Sequence, residues 1–75
     1  MKVGDLVMFV DEGMYAKWFY GKFGVVESSK EKIPGQGACR VRWLQPVKYF
    51  NSYTSYSDFG WDKFQVYPEE LETQQ

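Results

Sequence analysis

The chain has 75 residues, a formal net charge of −1 and no histidine. That length allows one domain, and the lack of histidine removes the commonest general base and the commonest metal ligand. The single cysteine, Cys39, excludes an intrachain disulfide and a Cys-rich zinc site.

A domain of this size buries only about 60% of the surface its unfolded chain exposes, so its core must be dense. Aromatic residues make up 20% of the chain: 3 Trp, 6 Tyr and 6 Phe. Each ring can bury roughly 150–250 Å². The set exceeds what one small core needs, so some rings are expected on the surface. One cysteine suits a reducing compartment. No apolar run approaches the ~20 residues that span a bilayer, and the first residues lack a signal-peptide pattern. The expectation is a soluble, cytoplasmic protein.

Charge is unevenly spread. Between positions 17 and 48, seven basic residues (Lys17, Lys22, Lys30, Lys32, Arg40, Arg42, Lys48) stand against two acidic ones, Glu27 and Glu31. Elsewhere Lys2 and Lys63 stand against eight acidic residues. A basic middle with acidic ends reads either as ordinary solvated charge or as an electrostatic docking face.

In chain order, residues 3–5 (VGD) form a tight lead-in to a strand over residues 6–10 (LVMFV), which is rich in β-formers. Turn chemistry at Asp11-Glu12-Gly13 ends it. Residues 14–20 (MYAKWFY) read as a loop carrying exposed rings, with a single helical turn as the alternative. Residues 21–27 form a second strand, in which Gly24 marks a bulge, a bend or a close backbone approach. Residues 28–37 (SSKEKIPGQG) read as a loop. Residues 38–44 (ACRVRWL) are the clearest strand. Cys39, Val41 and Trp43 share one face, and Arg40 and Arg42 share the other. Gln45-Pro46 is expected to break that strand.

Residues 47–58 read as a long polar and aromatic excursion, with one short strand near positions 53–59. Residues 60–63 (GWDK) suggest a tight turn, one 3₁₀ turn in length. Residues 64–67 form a last strand with Phe64 and Val66 on a common face. Pro68 ends it, and residues 69–75 are a polar tail. Residues 1–68 therefore make one domain. Four to five short antiparallel strands without a convincing helix predict an all-β fold, a small closed or partly open barrel.

Several of these elements carry a resemblance. The VGDLV of residues 3–7, the Gly-x-Val of Gly24 and Val26, the Val-Arg-Trp of residues 41–43, and the late turn before a Phe-x-Val strand together resemble the SH3-like barrels. That superfamily includes KOW and Tudor modules and small accessory proteins of bacteriophages. Trp18-Phe19 ahead of the second strand, the same Gly-x-Val, and a Val-Arg-aromatic strand followed by Val47-Lys48-Tyr49 and Tyr53 are also similar to the PsaE family of photosystem I accessory subunits. That resemblance implies a cytosol-facing docking subunit that helps acidic electron carriers such as ferredoxin approach, with Arg42 carrying the role. The chain departs from PsaE in its longer, lysine-rich second loop, in Trp43 where Phe is usual, and in its last strand.

Catalytic patterns are lacking. Cys39 shares its face with Val41 and Trp43, so it reads as a buried, inert thiol. The carboxylate pairs Asp11-Glu12 and Asp58/Asp62 fall in expected turns and Glu69-Glu70 in the tail, none with calcium-site spacing. Gly35-Gln36-Gly37 lacks the helix and Lys of a phosphate loop. No enzyme activity and no cofactor are expected. Trp18, Tyr20, Tyr53, Tyr56 and Trp61 suit either core packing or a cage for a cationic ligand. Arg40, Arg42, Lys22, Lys48, Tyr49 and Tyr53 have the basic, aromatic footprint of an RNA or single-stranded nucleic-acid surface, although a pI of about 5.3 opposes it.

The favoured expectation is a protein-docking module for an acidic partner or larger complex, without membrane insertion. Its candidate contact residues are Arg40, Arg42, Lys22, Lys48, Tyr49, Tyr53 and Trp18. The two arginines should lie about 7 Å apart along their strand, with no acidic residue in that strand to neutralise them.

Overall fold

The structure, a computed structural model, describes residues 1–67. The expected stop at Pro68 and the polar tail lie outside the described residues. Five antiparallel strands form one sheet: β1 (Leu6–Phe9), β2 (Phe23–Ile33), β3 (Gln36–Tyr49), β4 (Ser52–Gly60) and β5 (Phe64–Tyr67). Their order is β4-β3-β2-β1-β5. Among the described residues, helical structure is confined to one turn, α1 (Ala16–Phe19), and one 3₁₀ turn (Trp61–Lys63). The all-β expectation holds, as do the last strand, the 3₁₀ turn before it and a strand through residues 53–59.

The sheet is rolled. Phe59 on β4 and Phe9 on β1 are three strands apart in the order. In a flat sheet, strands ~4.8 Å apart would separate them by roughly 14 Å. Their ring centroids are 5.0 Å apart, and Phe59 also reaches Phe64 on β5 at 6.1 Å. The inner face encloses the core: Val7, Phe9, Val26, Cys39, Val41, Trp43, Val47 and Phe64 are buried together with Phe19 of α1. Alternation along β3 places Cys39, Val41 and Trp43 inside and Arg40 and Arg42 outside, as the sequence predicts.

Four expectations need correction. Residues 28–37 are not a loop, because β2 and β3 run to 11 and 14 residues. They pair from Ser29↔Cys39 out to Ile33↔Gln36. Only Pro34-Gly35 turns the chain, with Gly35 at φ +80. Residues 30–36 are all exposed, so no apolar face announces this arm. Backbone pairing makes it, with Glu31 Oε2 accepting from the Gly35 N–H at 2.9 Å at the turn.

Gln45-Pro46 does not end β3. The register jumps from Arg42↔Tyr56 to Val47↔Thr54, which sets Trp43, Leu44, Gln45 and Pro46 against Ser55 alone. Pro46, with no N–H to give, falls in this bulge and costs no ladder bond.

Residues 14–20 take the alternative reading, a single helical turn, and not a loop of exposed rings. Tyr15, Trp18 and Phe19 fall at the three- and four-residue spacing that shares one helix face. Phe19 is buried and stacks on Trp43 at 5.3 Å, while Tyr15 and Trp18 pack half-buried against the core. Asp58, finally, is a strand residue of β4 and not a turn residue.

Gly24 is a point of close backbone approach. A Cβ there would stand 2.3 Å from Val41 Cγ1 and 2.7 Å from the Arg42 carbonyl oxygen. Gly24→Ala must therefore separate β2 from β3 and is expected to cost about 1–3 kcal/mol. Phe9→Ala, which empties the ring cluster, should cost about 3–5 kcal/mol. Urea denaturation checks both, and unchanged midpoints would contradict the rolled sheet.

Candidate functional site

The outer face of β3 carries the two arginines. Their side chains are 45% and 55% exposed, in the outward geometry expected. They are not free. The register sets Arg40 opposite Asp58, and the guanidinium donates Nε–H to Oδ1 at 2.9 Å and Nη2–H to Oδ2 at 3.1 Å. The same guanidinium lies over Tyr56, 4.5 Å from its centroid. Arg42 donates from Nε to Glu27 Oε2, the residue at the register shift between Val26 and Ser28. The hydrogen bond raises the guanidinium of Arg40 above its usual range and holds the carboxyl of Asp58 below its own. The expected unneutralised pair is thus corrected: both carboxylates arrive from neighbouring strands, 18 and 15 residues away in sequence.

The other expected residues gather elsewhere. Lys48 is exposed and stands opposite Tyr53 across the β3–β4 ladder. Tyr53 is 69% exposed. Trp18 on α1 packs against Tyr49 and against Phe50 at the hairpin tip, both at 4.9 Å, and Tyr49 and Phe50 are 4.6 Å apart. Lys17 Nζ sits 4.7 Å from the centroid of the Trp18 ring. Lys22 lines a shallow cleft with Phe23, Leu44 and Pro46 at the bulge.

The seven candidates therefore divide. Arg40 and Arg42 form a self-neutralised face. Trp18 and Tyr49 meet at the hairpin end, Lys48 and Tyr53 pair on the opposite face of the same hairpin, and Lys22 lies in the cleft. Sequence reasoning missed Phe50 and Lys17. Phe50 is 64% exposed and was legible only through Asn51, a turn-forming residue beside it.

The five cage candidates are not brought together; no two of their rings are in contact among the described residues. Trp61 instead packs on the core and donates its indole N–H to Ser29 Oγ at 3.0 Å. Trp43 is likewise satisfied by Ser57 Oγ at 3.0 Å. Among the described residues, no three His, Cys, Asp or Glu side chains cluster as metal ligands, and no helix is long and apolar enough to cross a membrane.

Compared with protein-family models, with curated proteins and with solved structures, the chain matches none.

Cys39 is buried on the core side as expected, its Sγ 3.7 Å from Met1 Sδ. Burial pushes its thiol from the ordinary 9.0 up to about 11. Native-state labelling at pH 8 should therefore be far slower than labelling of the urea-unfolded chain. The folded value is the higher one, so the neutral thiol's contribution to stability is complete below pH 9.0 and is lost as pH rises towards 11. Equal labelling rates in the two states would overturn the register of β3.

Proposed function

We propose that this chain is a non-catalytic docking module, a small SH3-like barrel that holds another protein where α1 meets the β3–β4 hairpin. The rolled antiparallel sheet supports that fold family, with β1 between β2 and β5 and a 3₁₀ turn leading into the last strand.

One observation carries the reading. Phe50 and Tyr53 stand exposed on a tight hairpin, with Trp18 and Tyr49 packed behind Phe50. Rigid exposed aromatics lose little entropy on binding and dominate contact energetics. Lys17 lies over the Trp18 ring, Lys48 stands opposite Tyr53 on the other face of the hairpin, and no carboxylate pairs with either among the described residues. The PsaE resemblance would make Arg42 the docking cation. Its charge is occupied by Glu27, which favours the hairpin end over the arginine face. Lys48 beside Tyr53 also suits a nucleic-acid strand, but phosphate affinity comes from many free cations, and the arginines are already paired.

Affinity capture followed by kinetic measurement on the captured partner tests the assignment. Tyr53→Ser with Lys48→Glu should slow association by about tenfold or more, whereas Arg40→Glu with Arg42→Glu should change it by less than about twofold. The opposite ranking would return the site to the arginine face. Sub-micromolar, steeply salt-dependent binding of oligouridylate would replace protein docking with nucleic-acid binding.

A further inference from the structure

Tyr49 pairs with Ser52, which leaves Phe50 and Asn51 as the two central residues of the β3–β4 turn. Phe50 has φ 57, the one positive φ outside glycine among the described residues. A positive φ at the first central position of a two-residue hairpin is a place for glycine. A bulky side chain there crowds its own backbone. Asn51, of a type that tolerates this conformation, is the next residue along. The Phe50 ring also stays 64% exposed, so the residue carries a backbone penalty without gaining full burial. Local strain of this kind clusters at ligand contacts.

The surroundings define what the ring would meet. Phe50 touches Trp18, Lys17 lies over that same indole, and Lys48 and Tyr53 face each other on the other side of the hairpin, just behind the tip. We infer that the β3–β4 hairpin tip is the anchor of a peptide-binding surface, and that its occupant is an acidic segment of another protein bearing an aromatic side chain. The partner's ring packs on Phe50 and Trp18, one carboxylate meets Lys17 beside the indole, and the segment passes round the tip to set another against Lys48. The inference rests on the docking function proposed above and names the chemistry of the partner. The protein's own rings meet at interplanar angles of 77°, 47° and 63°. Successive nucleic-acid bases stack on ring faces, and these tilted rings do not line up as a platform for them.

Three polymers test the chemistry: a random glutamate–tyrosine copolymer, polyglutamate and oligouridylate, with binding followed by Trp fluorescence. The wild type should bind the copolymer at least about tenfold more tightly than polyglutamate. Phe50→Gly should erase that difference without lowering the melting temperature, because relief of the backbone compensates for the lost ring contacts. Lys17→Glu with Lys48→Glu should weaken both acidic polymers and flatten the salt dependence. Equal binding of the two acidic polymers, or full binding by Phe50→Gly, overturns the inference. A melting temperature lowered by more than about 5 °C in Phe50→Gly makes the ring structural and overturns it too. Tightest binding to oligouridylate assigns the tip to nucleic acid. If no acidic polymer binds while Tyr53→Ser with Lys48→Glu still slows the captured partner, the acidic chemistry is wrong and the docking function stands.

Discussion

The sheet closes on one ring. Phe9 lies on β1, a strand of four residues held between β2 and β5. Its ring meets Phe59 from β4 at 5.0 Å, Phe64 from β5 at 5.6 Å and Phe19 from α1 at 5.7 Å. Aromatic pairs favour such tilted and edge-on contacts beyond their area burial. Without this meeting point the edge of β4 would have no reason to fold over β1, and the inner face would stay open to water. The surface depends on it as well. Phe9 and Trp43 seat Phe19, Phe19 fixes the single turn of α1, and that turn presents Trp18 to the hairpin tip. The core and the candidate site are thus linked by four rings in sequence: Phe9, Phe19, Tyr49 and Phe50.

Much of this fold was legible because side chains report their surroundings. Cys39, Val41 and Trp43 alternate with Arg40 and Arg42, and one period of two fixed the faces of β3. Gly24 stood inside an apolar run, where its lack of a side chain had to mean something, and the backbone of β3 is what approaches it. The outer arm of β2 and β3 was illegible for the complementary reason. Residues 30–36 lie beyond the core, both faces meet water, and the ladder holding them uses groups that every residue has. Pro46 misled because it is a strand breaker only where its N–H is needed, and the bulge removes the need. The single helical turn at residues 16–19 could be named as an alternative to a loop, but it is too short for a periodic signal to decide between them.

The candidate site was legible in its residue types and not in their grouping. Grouping is a matter of register, and register is non-local. Nothing near Arg42 in sequence announces Glu27, and nothing near Arg40 announces Asp58. Tyr49 and Trp18 were both singled out, but Phe50, which touches both, sat in a run of tyrosines and serines that gave no clean period. Its importance comes from the backbone, where the turn places it in a conformation that its side chain disfavours.

The two kinds of basic residue end up with different work, and their chemistry explains the division. A guanidinium offers a planar fork that fits a carboxylate bidentately, and Arg40 uses it that way on Asp58. Exposed pairs of this sort contribute little to stability. They do discriminate between registers, because a one-residue slip would turn Arg40 and Arg42 towards the core and strand both charges. β3 needs such discrimination more than most strands, since its bulge already breaks the ladder between Arg42 and Val47. Lys17 and Lys48 are compact charges on flexible stems with no such fork. Among the described residues neither holds a carboxylate, which is why the proposed docking role falls to them. The arginines, which dominate the sequence pattern, specify how the strands align. In the proposed function, binding falls to the lysines and rings at the hairpin end.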